Sequence, residues 1–290
     1  MTDLEFLIIG TQKAGTTSLY EYISEHPEIY VPQVKEIQYF VDDRFYEQGP
    51  VYLDAFYKGA TADQAKGLAY VHMLPFADCP SRVVDFNSKM KLVIMLREPI
   101  KRAFSAYNFA MKNGWEEPKV SFLKSFELER KRLNGNFTER FELAYFHNGL
   151  YHQHLTNWLT HFPKDQLLII TDSDLKHSRA ETLKKVFGFL GVCESADINL
   201  EVEHNKAGGV KNAKLQKALL DKEAGWKRKL GGVVPKPVKV ALRANVIKPM
   251  MEWNKTEEVN RAMTQEEIDR ARTYFEEDLK ALKRDFNISF

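Results

Sequence analysis

Three short apolar runs, Phe6–Ile9, Lys91–Leu96 and Gln166–Thr171, stand out along the chain. Each is too short for a buried helix and reads as a strand covered on both faces of a parallel sheet. Gly67–Val71 is a weaker strand candidate. Between the runs, apolar residues recur at helical spacing over Thr16–Ser24, Pro80–Asp85, Ile100–Lys112, Val120–Leu133, Tyr145–Phe162 and Arg179–Leu190. Such alternation predicts an α/β fold with a central parallel sheet flanked by helices; 290 residues suffice for one large domain or two small ones, and the expectation is one domain over residues 1–290. Tyr151, Leu155, Trp158, Leu159 and Phe162 form a helical stripe expected in the core. His152 and His154, two residues apart, should not share a helix face. Beyond Leu190-Gly191-Val192 the pattern loosens. Glu203–Val210 reads as a loop and Lys211–Leu220 as a helix, and Gly231, Gly232, Pro235, Pro237 and Pro249 interrupt the next region. The part from 221 to 290 is expected to be helical, closing on Gln265–Arg284 behind the cap-like Thr264-Gln265-Glu266-Glu267.

Composition narrows the class. The 290 residues are 44% apolar and 28% charged, as in soluble globular proteins. Two cysteines, Cys79 and Cys193, lie far apart and in no metal-ligand spacing, which suits a reducing compartment. Met1-Thr2-Asp3-Leu4-Glu5 lacks the basic flank and apolar stretch of a secretory signal, and no run approaches a membrane span. The expectation is a cytoplasmic protein. The net charge of +2 hides an uneven distribution: Lys206–Lys248 holds twelve Lys or Arg against only Asp221 and Glu223. That stretch points to an anionic ligand or polymer, or to a solvated basic face.

The candidate chemistry starts where the first strand ends. Gly10-Thr11-Gln12-Lys13-Ala14-Gly15-Thr16-Thr17-Ser18 joins a strand to a helix through a glycine-punctuated turn. This arrangement gathers backbone N–H groups at the positive end of a helix and binds phosphate. A nucleoside-triphosphate loop reads G-x-x-x-x-G-K followed by Ser or Thr. Here Thr16 stands at the lysine position and the lysine has moved to position 13. A phosphate ester gripped differently from the β/γ-phosphates of ATP is therefore expected. A second element, Arg97-Glu98-Pro99, ends the strand Lys91–Leu96, and Ser105 lies two helical turns further on. A guanidinium fork and a hydroxyl so placed can hold one phosphate. A kinase would need a magnesium-holding Asp at such a strand end, so the arginine argues against ATP–Mg.

Lys13-Ala14-Gly15-Thr16-Thr17-Ser18 resembles the 5′-phosphosulfate loop of sulfotransferases that use 3′-phosphoadenosine-5′-phosphosulfate (PAPS). Arg97 and Ser105 resemble the 3′-phosphate element at the family's spacing. Lys35-Glu36-Ile37-Gln38-Tyr39-Phe40 resembles the glutamate segment of the carbohydrate branch, the heparan-type and especially the N-sulfotransferase version. Gly149–Leu159 is similar to the family's Leu-Tyr…Trp-Leu helix, and Asn205–Asn212 falls where the family places a late Gly/Lys loop. The likeness covers most of residues 1–220.

The resemblance implies a P-loop-like nucleotide site and sulfuryl transfer from PAPS to a hydroxyl or amine. It makes Lys13, Ala14, Gly15, Thr16, Thr17, Ser18, Arg97, Ser105, Gly208, Gly209, Val210 and Lys211 donor contacts. Glu36 becomes the general base and Lys13 the stabiliser of the leaving phosphate. No metal, nucleic acid or membrane span belongs to this expectation. A saccharide, a glycolipid, a polyketide hydroxyl and a small alcohol all fit as acceptor. One departure stands out: Gly67–Met73 lacks the lysine that glycosaminoglycan enzymes carry there, which leaves Lys13 alone or assisted by His72. Two other readings are an ATP-dependent small-molecule kinase and a non-catalytic binder of anionic glycans.

Overall fold

The computed structural model describes residues 2–200, 209–210, 248–253, 255–256 and 261–290. In chain order the first elements are β1 (Phe6–Gly10), α1 (Thr16–Ser24), β2 (Ile29–Tyr30), α2 (Asp43–Tyr46) and α3 (Val51–Asp54). Next come β3 (Ala65–Ala69), α4 (Cys79–Phe86), β4 (Lys91–Leu96), α5 (Pro99–Lys112), α6 (Phe122–Leu133) and α7 (Phe137–Glu142). Then follow α8 (Tyr151–Leu159), β5 (Leu167–Thr171), α9 (Asp172–His177) and α10 (Arg179–Leu190). The last are β6 (Gly209–Val210), α11 (Lys248–Trp253), β7 (Lys255–Thr256) and α12 (Gln265–Phe286). Two compact units divide these elements. The first comprises Met1–Ala103, Phe146–Asn205 and Asp269–Phe290, and the second Phe104–Tyr145 and Lys206–Ile268.

The first unit is built on a five-stranded sheet in the order β2-β3-β1-β4-β5. Every pair is parallel: Leu7 lies beside Leu68 on one side and Leu92 on the other, and Met95 lies beside Ile170. All five residues of β1 are buried, which is why the run reads as continuously apolar rather than alternating. Ile8, Val93, Met95 and Ile170 form one face. They share a core with Leu19, Tyr22 and Ile23 of α1 and Leu183, Val186, Phe187 and Leu190 of α10. Leu7, Ile9, Leu92, Ile94 and Leu96 alternate to the opposite face and are equally buried. At Gly67 a Cβ would lie 2.0 Å from the Phe6 ring, so only glycine lets β3 pass.

The α/β reading and the main strands agree with the sequence, with local differences. The predicted strand 67–71 sits two residues earlier, at Ala65–Ala69, and β2 is an addition to the predicted elements. The expected helix Tyr145–Phe162 is interrupted. A 3₁₀ turn over His147–Gly149 and the non-helical Leu150 (φ −79°, ψ 72°) delay α8 to Tyr151. Within it Tyr151, Leu155 and Trp158 are buried as expected and Leu159 is half-buried. His154 is buried, whereas the half-exposed His152 meets Asp285 of α12 at 2.7 Å. The predicted loop 203–210 ends in a strand, β6, antiparallel to β7. The part after 221 is thus not purely helical. Pro249 falls in the first turn of α11, where its missing N–H costs little. The predicted helix 211–220 and residues 231–237 lie outside the described residues.

In the second unit a buried polar network stands among the aromatics. Arg132 Nη2 donates to both Glu116 oxygens at 2.8 and 2.7 Å, and Nη1 donates to the Leu143 carbonyl at 3.0 Å. The Tyr145 hydroxyl donates to Glu116 at 2.8 Å, and burial followed by that carboxylate pushes its pKa up. Among the described helices none is long and apolar enough to cross a membrane.

Candidate active site

In an open parallel sheet ligands bind beyond the carboxyl ends of the strands, where the strand order reverses. Here the chain leaves β1 for the β2–β3 side and leaves β4 for the β5 side, so the reversal falls between β1 and β4. The loops bearing Lys13 and Arg97 leave these two strands.

The first loop is tied at its base by Thr11 N–H donating to the Met95 carbonyl at 2.8 Å and by Ala14 N–H donating to the Thr11 carbonyl at 3.2 Å. It turns through left-handed backbone at Lys13 (φ 67°) and Gly15 (φ 97°). Gly15 is the N-cap residue of α1, and no side chain caps the helix. The Thr16 and Thr17 N–H groups that open the helix therefore have no intrahelical acceptor. The Thr11 hydroxyl is buried without a hydrogen-bond partner among the described residues. An uncapped nine-residue helix, a buried unsatisfied hydroxyl and a lysine on the loop fit an anionic ester. A Cβ on Gly15 would come within 2.9 Å of Met95 Cε and would adopt a backbone that disfavours L side chains. We expect Gly15→Ala to destabilise the fold by about 1–2 kcal/mol, measured by urea unfolding. Unchanged stability would refute the claim that the turn requires glycine.

Arg97 reaches from the end of β4 to this loop. Its Nη1 donates to the Lys13 carbonyl at 3.1 Å, and its Nε lies 3.6 Å from Asp172 Oδ2 at the start of α9. The buried Tyr151 hydroxyl donates to the Arg97 carbonyl at 2.7 Å. The structure thus brings Arg97 and Lys13 together, with one guanidinium edge supporting the backbone of the loop lysine. Ser105 lies on α5, in the stretch assigned to the second unit. Gly209 and Val210 form β6, while Gly208 and Lys211 lie outside the described residues.

The Glu36 segment folds back on α1. The Tyr20 hydroxyl donates to the Pro32 carbonyl and anchors the stretch. Glu36 N–H donates to the Ala69 carbonyl at 3.2 Å, and Val71 N–H donates to Glu36 Oε2 at 3.0 Å. Both bonds fasten Glu36 to the chain leaving β3. Lys35 Nζ lies 3.3 Å from Glu36 Oε1 and donates to Thr17 Oγ1 at 2.9 Å, with Thr16 Oγ1 at 3.5 Å. Its ammonium also stands 5.7 Å from the centre of the Tyr20 ring. Burial lowers the Lys35 pKa, and Glu36 partly opposes that shift. Glu36 has φ 66°. Among the described residues the non-glycine positions with positive φ are Lys13, Glu36 and Asn287, the last following the end of α12. Left-handed backbone at a non-glycine residue costs on the order of 1–3 kcal/mol and gathers at functional sites. Two of these three positions are the residues expected to do the chemistry.

The sequence reading missed Lys35 as a member of this site. It belongs to no periodic pattern, and its place beside Thr17 depends on the left-handed turn after it. His72, the residue expected to assist Lys13, is 2% exposed and packs edge-on to Tyr70 at 5.5 Å.

The family model described as the sulfotransferase domain matches residues 3–283, and the chain belongs to that family. It is similar to mouse heparan sulfate glucosamine 3-O-sulfotransferase 3B1, 29% identical over 190 residues, covering 64% of this chain and 45% of the relative. It is also similar to the mouse bifunctional heparan sulfate N-deacetylase/N-sulfotransferase 3, 31% identical over 198 residues, covering 65% of this chain and 22% of the relative. The chain therefore spans less than half the length of these relatives. Among solved structures, a sulfotransferase from Alicyclobacillus acidocaldarius superposes with a TM-score of 0.70 at 21% identity, covering 100% of this chain and 98% of that one. Mouse sulfotransferase SULT7A1 complexed with PAP gives a TM-score of 0.52 at 16% identity, covering 97% and 85%. These two share the fold.

Proposed function

We propose that this chain, read as one sulfotransferase domain over residues 1–290, transfers a sulfuryl group from PAPS to a hydroxyl or amine. A carbohydrate is the acceptor class suggested by the names of its relatives. The observation that carries the reading is the run of contacts from Glu36 through Lys35 to Thr17, which joins a carboxylate to the candidate phosphosulfate loop. Bound PAPS would supply the sulfuryl group and a phosphate leaving group. The acceptor's oxygen or nitrogen bonds to sulfur, the bond from sulfur to the bridging oxygen breaks, and the acceptor's proton passes to Glu36. The Glu36 side chain is 36% exposed, so an acceptor can reach it, whereas His72 is enclosed. Lys13 and the N–H groups opening α1 stabilise the charge growing on the bridging oxygen. Ala14 and Gly15 shape the loop, and Thr16, Thr17 and Ser18 add hydroxyls to it. Arg97 with Ser105 is assigned to the 3′-phosphate, and the 208–211 stretch to the adenosine and 3′-phosphate. The exposed free thiol of Cys193 suits a reducing, cytoplasmic setting.

The test is nucleotide choice. Calorimetry should show 3′-phosphoadenosine 5′-phosphate binding more tightly than adenosine 5′-phosphate, with the preference largely abolished in Arg97→Ala. Loss of a charge-assisted phosphate contact is worth about 1.5–3 kcal/mol. Equal affinity of the wild type for both nucleotides would refute the assignment.

A further inference from the structure

Lys35 is a lysine whose side chain is 16% exposed, yet the reaction as written gives it no task. Its surroundings are specific. The ammonium meets Thr17 Oγ1 at 2.9 Å, Thr16 Oγ1 at 3.5 Å and Glu36 Oε1 at 3.3 Å, above the Tyr20 ring. Lysine has three donors and no acceptor, whereas a threonine hydroxyl has one donor and two acceptor lone pairs. The Thr17 oxygen must therefore accept from Lys35. Its single proton is then left to donate elsewhere, and the loop side of that hydroxyl is where the candidate site expects an anion. The geometry points to Lys35 as a positioning residue of the donor site: its ammonium fixes the Thr17 hydroxyl so that the proton faces the bound phosphate ester. The same ammonium ties that hydroxyl to Glu36, so donor loop and base move as one piece. The inference rests on the proposed function for the identity of the anion.

This arrangement also answers the lysine that Gly67–Met73 lacks. A second cation is supplied from a different segment, through a hydroxyl rather than by the family's own residue. Only the protonated ammonium can do this. The groups that bear on it are Glu36, Glu21 and the Tyr20 ring, and burial of Lys35 outweighs the acids and lowers its pKa. As pH rises through that lowered value, the ammonium loses its charge and its hold on Thr17 weakens.

Calorimetric titration of the full chain with 3′-phosphoadenosine 5′-phosphate tests the inference. Lys35→Met and Thr17→Val should each weaken binding about tenfold, the range for a hydrogen bond involving a charged group. The double variant should be little worse than either alone, because both changes remove one coupled contact. Lys35→Arg should recover most of the affinity. It should also move the alkaline fall in binding to higher pH, because a guanidinium stays protonated where the buried lysine does not. Wild-type affinity in Lys35→Met, effects that multiply in the double variant, or an alkaline limb unmoved in Lys35→Arg would each overturn the inference while leaving the proposed function in place. A wild-type protein that does not bind the nucleotide would overturn both.

Discussion

Lys13→Ala should lower sulfuryl transfer by about 10²–10³-fold, the range for removing one donor to a developing oxyanion. Affinity for 3′-phosphoadenosine 5′-phosphate should fall far less. Charge on the bridging oxygen peaks in the transition state, so a cation aimed there is worth more at that moment than in the ground state. The conformation of Lys13 supports the unequal effect. The residue sits in left-handed backbone, its carbonyl held by Arg97 Nη1 at 3.1 Å. A loop that keeps a costly conformation and a strut to it is preorganised, so its charge need not be reordered during reaction. Steady-state kinetics with saturating PAPS, beside calorimetry of the product nucleotide, separates the two quantities. A rise in KM with kcat unchanged would make Lys13 a binding residue and end its assignment as stabiliser of the leaving group.

The unequal legibility of the chain has physical causes. β1 and β4 could be read because strands buried on both faces need unbroken apolar runs, and the loop between β1 and α1 because glycine spacing marks a tight turn. β2 could not, since two residues carry no period. The four-residue α2 and α3 escape for the same reason. α7 and α9 left usable signals that went unread. Asn136 with Glu139, and Thr171 with Asp174, form capping boxes, and both spacings are visible in the sequence. Lys35 is a different kind of omission. Nothing local marks it, because its function depends on Tyr20 holding Pro32 and on the left-handed turn at Glu36. Positions whose backbone breaks local preference are those where sequence reasoning is weakest, and in this chain they lie at the candidate site.

Glu36→Gln should leave nucleotide binding almost unchanged and lower transfer to an acceptor by about 10²–10⁴-fold, the usual worth of general-base assistance. The substitution keeps the shape of the side chain and the acceptor for Val71 N–H, which lies 3.0 Å from Glu36 Oε2. It removes the negative charge that Lys35 faces at 3.3 Å and the group able to take a proton. Fold and loop should therefore survive, and proton transfer should fail. The paired control is His72→Ala, because His72 lies in the segment lacking the family lysine. His72 is 2% exposed and packed edge-on to Tyr70, so no acceptor hydroxyl reaches it without rearrangement of the chain after β3. Its loss should act on stability more than on kcat. Near-wild-type turnover in Glu36→Gln together with an inactive but folded His72→Ala would reverse the assignment and make the histidine the base. An inactive Glu36→Gln that has also lost nucleotide affinity would instead mean that the carboxylate acts through Lys35 on the donor loop. Nucleotide calorimetry on the same protein samples therefore has to accompany the kinetics, because only the combination of intact binding and lost turnover identifies the base.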